Sequence, residues 1–195
     1  MLCELIDNTR TDKNTTHSYI DLYQLLLQNK KDTALNVLEI GIGDNPEDPI
    51  IVNGGSIKLW HDFFRNANVH AVDIKKNEKV WDEIQNKDRV ILYLETDAYD
   101  ENKFKSNFLD KNIKFDFILD DGPHTLTSMI QCIKLYSQVM TDDGILIIED
   151  VQSWDWLKIL NNVTPEHLRP FIKTYDLRSI KNRYDDIVFV IDKSM

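Results

Sequence analysis

Two acidic pairs stand at the ends of apolar runs. "FILDDGPH" carries Asp120 and Asp121, with His124 three residues beyond Asp121, and "ILIIEDVQ" carries Glu149 and Asp150. Four carboxylates brought into one place repel each other, and burying them unpaired is costly. A hard divalent cation resolves that conflict, and two or three carboxylates completed by water and substrate suit Mg²⁺. A neutral imidazole beside them can accept a hydroxyl proton near pH 7. The competing reading is structural: the acids cap the helices that follow their strands, and His124 is an ordinary surface residue.

The glycines point to the same region. Of six in the chain, Gly41, Gly43, Gly54, Gly55 and Gly122 follow the first and fourth apolar runs, while Gly144 reads as a turn. "LEIGIG" resembles the start of a nucleotide-binding loop. However, the third glycine of a dinucleotide fingerprint is replaced by Pro46, and no G-K-[ST] follows. What remains is Glu39, Gly41 and Gly43, with Asp73 ending the next apolar run. An acid there suits ribose hydroxyls, and Glu39 suits a cationic group. "DNPEDPIIVN" (44–53) then separates "LEIGIG" from "GGSIKLW". It reads as an insertion in one cofactor loop, with an acidic rim and an apolar tip of Ile50, Ile51 and Val52.

These residues need a frame that brings strand ends together. Runs at 35–40, 68–74, 89–95, 114–120 and 144–150 are short and almost continuously apolar, as parallel strands covered on both faces should be. Helices are expected over 56–65, 78–86, 101–109 and 126–139, preceded by an amphipathic helix in "SYIDLYQLLLQ". This alternation predicts an α/β, Rossmann-like, doubly wound and mostly parallel sheet with helices on both faces. "RPFIKTYDL" and "DIVFVID" read as a closing antiparallel hairpin after a helix that runs to Leu160. Ligands of such sheets sit beyond the carboxyl ends of the strands, where strand order reverses. The expected organisation is one domain over 1–195, with an N-terminal segment (1–34), a cofactor-binding core (35–150) and a C-terminal part (151–195).

A net charge of −10 argues against general nucleic-acid binding. Cys3 and Cys132 lack the spacing of a disulfide framework or zinc knuckle. The start has no basic-then-apolar leader, and no run approaches the ~18 apolar residues needed to span a bilayer. The expectation is a cytoplasmic protein without a membrane or nucleic-acid partner. Homo-oligomerisation is left open.

Four segments together resemble the class I S-adenosylmethionine-dependent methyltransferases, in particular the macrocin O-methyltransferase group with its mycinamicin sugar methyltransferases. They are "TDKNTTHSYIDLY", "LEIGIG…GGSIKLWHDFFRNANVHAVDI", "FDFILDDGPHT" and "GILIIEDVQSWDW". The resemblance implies S-adenosylmethionine held by Glu39, Gly41, Gly43 and Ser56, with Asp73 on the ribose, Asp97 near the adenine and Asp120 facing the cofactor. It implies Mg²⁺ on Asp121, Glu149 and Asp150, and His124 as general base, although the family has Ser at the position of Pro123. The N-terminal segment would be a lid, with Asp12, Lys13, His17 and Tyr19 as contacts. Tyr19, Tyr23 and Leu26 could equally be packing residues. Trp154 and Trp156 read either as a wall beneath a sugar or as helix core. The implied activity is metal-dependent O-methylation of a sugar or glycosylated small molecule. A catechol-like substrate is the alternative, and an inactive cofactor-binding scaffold is the alternative of a different class.

Overall fold

The computed structural model describes residues 1–43 and 54–194. The 44–53 insertion, expected to rim the crevice, lies outside the described residues.

Among the described residues, seven strands form one sheet in the order β3-β2-β1-β4-β5-β7-β6. They are β1 (Asn36–Ile40), β2 (Asn68–Val72), β3 (Val90–Tyr93), β4 (Phe115–Asp120), β5 (Met140–Ile148), β6 (Ile172–Asp176) and β7 (Ile187–Asp192). The first five are parallel, and β7 enters antiparallel between β5 and β6. The chain winds outward from β1 through β2 to β3, then returns to place β4 on the other side of β1. That reversal opens a crevice above β1 and β4.

The inner strands are apolar nearly throughout because both sheet faces are covered there, whereas the edge strands β3 and β6 are only partly buried. Val37, Val69, Phe117 and Ile145 pack on one face with residues of α2 (Ile20–Leu27) and α3 (Gly55–Phe63). Their neighbours Leu38, Ile118 and Leu146 pack on the other with α5 (Glu101–Phe104), α6 (Leu126–Tyr136) and α7 (Trp154–Val163). The expected doubly wound sheet with its antiparallel end is therefore the observed one.

Local departures have local causes. β5 starts at Met140 rather than 144, and its register against β4 shifts between Phe115 and Phe117. Gly144 sits at this irregularity, where an added Cβ would stand 3.0 Å from the Phe115 carbonyl oxygen. The expected helix over 78–86 shrinks to a 3₁₀ turn (Asn77–Lys79) and the one-turn α4 (Asp82–Gln85), within which Ile84 alone is buried. Residues 101–109 divide into α5 and a π turn (Lys105–Leu109). Two one-turn helices were not foreseen: α1 (Leu2–Leu5) and, inside the β6–β7 connection, α8 (Arg178–Lys181). Among the described residues no helix is long and apolar enough to cross a membrane.

Candidate active site

Parallel register aligns the ends of β1, β4 and β5. Ile40 pairs with Asp120, and Asp120 pairs with Ile148. The residues that follow therefore emerge at one level, and the two acidic pairs converge. Gly41 lies where the first loop passes closest to the fourth. Its φ is +88°, and a Cβ there would stand 2.0 Å from the Asp121 carbonyl oxygen. Only glycine fits both conditions.

Asp73 ties the loop to β2. Its carboxylate accepts from the backbone N–H of Ile42 at 2.7 Å and of Lys75 at 2.8 Å. Lys75 in turn donates to the Gly43 carbonyl. Glu39, fully buried, receives Trp60 Nε1–H at 2.7 Å and the Ser56 hydroxyl, both from α3. Burial pushes its carboxyl up to about 7, against the pull of Lys13. Glu39 Oε1 and Asp120 Oδ2 are buried without a hydrogen-bond partner among the described residues. Beside a glycine loop, Asp120 Oδ2 and Glu39 Oε1, the latter with the Lys13 ammonium at 3.7 Å, suit a ligand that brings donors. Asp120 Oδ1 accepts from the Tyr99 hydroxyl at 2.5 Å, and burial raises this carboxyl to about 6.

The N-terminal segment closes the acidic end. Lys13, 1% exposed, donates to Asp121 Oδ2 and Glu149 Oε2, each at 2.6 Å, with Glu39 Oε1 at 3.7 Å. Burial alone would lower its pKa, but Asp121, Glu149 and Glu39 outweigh burial and hold it well above the ordinary lysine value. The Tyr23 hydroxyl donates to Glu149, and the Tyr19 hydroxyl to Asp150. Both rings are buried in the core, as the packing reading expects, and both hydroxyls reach the acids.

His124 is the most open of the converging groups, its side chain 31% exposed. Its Nε2 lies 3.7 Å from Asp121 Oδ1 and 3.5 Å from Asp150 Oδ2. His124 (φ +50°) and Asp150 (φ +53°) both take the left-handed backbone conformation. Such strain in non-glycine residues concentrates at functional sites. The Gln152 amide donates to the His124 carbonyl and joins the two loops.

Asp121, His124 and Asp150 each offer a donor atom within 4.8 Å of the others, a set that can hold a cation. Glu149 adjoins them, but its oxygens are directed to Lys13 and Tyr23. Burial pushes the Glu149 carboxyl up to about 7 against the opposing charge of Lys13, and burial also raises Asp150. Asp97 is exposed, and its carboxylate accepts from the Tyr99 N–H, as a turn residue does. Trp154 is exposed beneath the Arg178 guanidinium, while Trp156 packs against the core. A recess of about 520 Å³ opens at the opposite end of the strands, lined by Asn36, His70, Lys114 and Asp116 among others, away from this chemistry.

The sequence reading did not single out Trp60, Tyr99, Asp185 or Asp186. Trp60 and Tyr99 look like core aromatics until the partners of their polar ends are known. "YDD" immediately before the last strand is the one sequence signal for the two aspartates.

No family model matches the chain. It is 26% identical over 146 residues to the 8-demethyl-8-alpha-L-rhamnosyl tetracenomycin-C 2'-O-methyltransferase of Streptomyces olivaceus, covering 75% of this chain and 36% of the relative. It is likewise 26% identical to the L-olivosyl-oleandolide 3-O-methyltransferase of Streptomyces antibioticus (72% and 34% covered) and to the Mycinamicin VI 2''-O-methyltransferase of Micromonospora griseorubida (72% and 33%). Among solved structures, MycE methyltransferase in complex with Mg, SAH and Mycinamycin VI superposes with a TM-score of 0.74 at 20% identity, covering 98% of this chain and 53% of that one. The fibrillarin pre-rRNA processing protein of Methanococcus jannaschii follows at 0.57 and 15%, with 85% and 69% covered. The fold is the one seen in MycE methyltransferase. The resemblance read from the sequence is thus borne out, in that the relatives are sugar O-methyltransferases. The chain spans about a third of the length of those relatives.

Proposed function

We propose that this chain is an S-adenosylmethionine-dependent, divalent-cation-dependent O-methyltransferase domain acting on a hydroxyl of a sugar or glycosylated small molecule. The observation that carries the reading is the meeting of His124, Asp121 and Asp150 beside the Glu39–Gly43 loop at the point where strand order reverses. Relatives that methylate sugar hydroxyls, and a fold neighbour bound to Mg and SAH, support it.

In this reading S-adenosylmethionine supplies a methyl group on a sulfonium. Glu39 and Asp120, with their orphan oxygens, Ser56, and the Gly41–Gly43 loop would hold it, and Asp73 would fix the loop and meet the ribose. A divalent cation, held by Asp121 and Asp150 with Glu149 beside them, would lower the pKa of a substrate hydroxyl. His124 accepts that hydroxyl proton, and the carboxylates of Asp121 and Asp150 stabilise the imidazolium that results. The half-open position of His124 lets a bulky sugar reach it, while the buried acids behind it keep the imidazole oriented.

The test is transfer of labelled methyl from S-adenosylmethionine to a panel of nucleotide sugars, glycosides and catechols, with Mg²⁺ or chelator, alongside calorimetry with S-adenosylmethionine and NAD. Methylation of a glycoside that stops in chelator is the expected result. Turnover of catechols alone would move the substrate class. Cofactor binding without any turnover would favour the scaffold, and binding of NAD alone would overturn the reading.

A further inference from the structure

On the side of Asp150 away from His124 lies a second cluster, of which the proposed reaction uses Asp150 alone. His17, Asp150, Asp185 and Asp186 are all buried, and each offers one ligand atom within 4.8 Å of the others. Three chain regions supply them: the N-terminal segment, the end of β5, and the turn before β7. His17 Nδ1 lies 2.6 Å from Asp186 Oδ1 and 3.3 Å from Asp150 Oδ1.

The protein's own cations leave this cluster incompletely matched. Arg183 holds Asp185 Oδ2 at 2.9 Å, and Tyr19 donates to Asp150. Asp185 Oδ1 and Asp186 Oδ2 remain buried with no hydrogen-bond partner among the described residues, although Asp186 is 0% exposed. A fully buried carboxylate oxygen without a donor is expensive, and His17 and Arg183 together do not satisfy every oxygen of the three carboxylates. A metal ion can. Four donors at about 2.0–2.2 Å from a central ion lie roughly 3.3–3.6 Å apart in a tetrahedron; here the four lie within 4.8 Å of one another, so an ion would part the His17–Asp186 pair and draw the others inward.

We propose that His17, Asp150, Asp185 and Asp186 form a second cation site, for a divalent first-row transition ion of the Zn²⁺ type. The imidazole nitrogen makes the set softer than the all-oxygen shell preferred by Mg²⁺. His17 Nδ1 must carry no proton when it becomes a ligand. Its Nε2 faces Asp12 Oδ2 at 3.7 Å, where an outer carboxylate orients a ligand imidazole. Asp150 joins the two clusters, with Oδ1 toward His17 and Oδ2 toward His124. Lys181 already anchors this stretch by donating to the carbonyls of Asn14, Thr15 and His17. The ion would therefore fasten the N-terminal segment to the core directly behind the catalytic cluster.

The experiment is calorimetric titration of the metal-free full chain with Zn²⁺ in saturating Mg²⁺, with Co²⁺ absorption as a report on the ligand set. One Zn²⁺ per chain is expected to bind, and its Co²⁺ substitute should give visible bands that His17→Gln alters. His17→Gln and Asp186→Asn should each weaken Zn²⁺ by at least about tenfold, while Asp121→Asn leaves it within about twofold. Far-UV circular dichroism checks folding. If Asp186→Asn fails to fold, His17→Gln decides, since His17 lies outside the sheet. Failure of the wild type to bind Zn²⁺ would overturn the proposal. So would binding that Asp121→Asn abolishes and His17→Gln leaves intact, because the ion would then sit in the other cluster.

Discussion

Lys13 is an ammonium sealed among three carboxylates, so the site depends on it even before any ligand arrives. Breaking a buried ion pair from one side costs about 3–5 kcal/mol. Lys13→Met should therefore lower unfolding stability by about that much in chelator-treated protein, read from urea melts. A loss under about 1 kcal/mol would mean that Asp121, Glu149 and Glu39 do not rely on the ammonium. His124 calls for a different substitution. Its φ of +50° penalises alanine, whereas asparagine tolerates the left-handed region. His124→Asn should lower kcat by roughly 10²–10⁴-fold, the range for a lost acid–base group, and leave S-adenosylmethionine affinity unchanged in calorimetry. An unaltered kcat would remove His124 as the base. Asp121, His124, Glu149 and Asp150 were legible in the sequence because each pair sits at a strand end, and the parallel register brings strand ends together. The burial of Lys13 was not legible. It depends on a contact with Asp121 across 108 positions that no local pattern encodes.

At the scale of elements, the N-terminal segment makes turn hydrogen bonds of its own and is also fastened to the body of the protein. One point of attachment is the start of α3. A Cβ on Gly55 would stand 2.2 Å from the Arg10 carbonyl oxygen, so a larger residue must displace one of the two. The helix is packed on its sheet through Ile57, Trp60 and Phe63, so the displacement is expected to fall on the segment. Gly55→Ala should speed tryptic cleavage after Arg10 and Lys13 while circular dichroism stays unchanged. Equal cleavage rates would show that the segment is held elsewhere. The strands were readable because cover on both faces leaves little room for polar residues. The unforeseen short helices were not, because a single turn such as α8, with no buried residue, prints no period. The β6–β7 hairpin was readable from its two apolar runs, whereas the aspartates beside it became notable only once His17 had folded over them.

Across the whole molecule, the two ends of the sheet respond to acid in opposite senses. At the crevice, Glu39 and Glu149 are held near 7 by burial. The folded state takes up their protons before the unfolded chain does, so this pair favours folding as pH falls from 7 towards 4.5. At the other end His70, buried in β2, is pushed down to about 4 by burial and, to a lesser extent, by Lys111. Its ring lies edge-on to Phe115 at 5.1 Å and stacks on Tyr93 at 5.9 Å, a setting that favours the neutral imidazole. The unfolded chain therefore binds this proton first, and the stabilisation from keeping His70 neutral is present above 6.5 and lost as pH falls to about 4. A drop from 6.5 to about 4 corresponds to about 3 kcal/mol. Because the crevice acids mask part of this in the wild type, a difference measurement isolates it. His70→Phe keeps a ring against Phe115 and removes the titration. Its stability relative to wild type, from urea melts, should improve by about 3 kcal/mol between pH 6.5 and pH 4. A difference that stays constant across that window would mean that His70 is protonated within the fold.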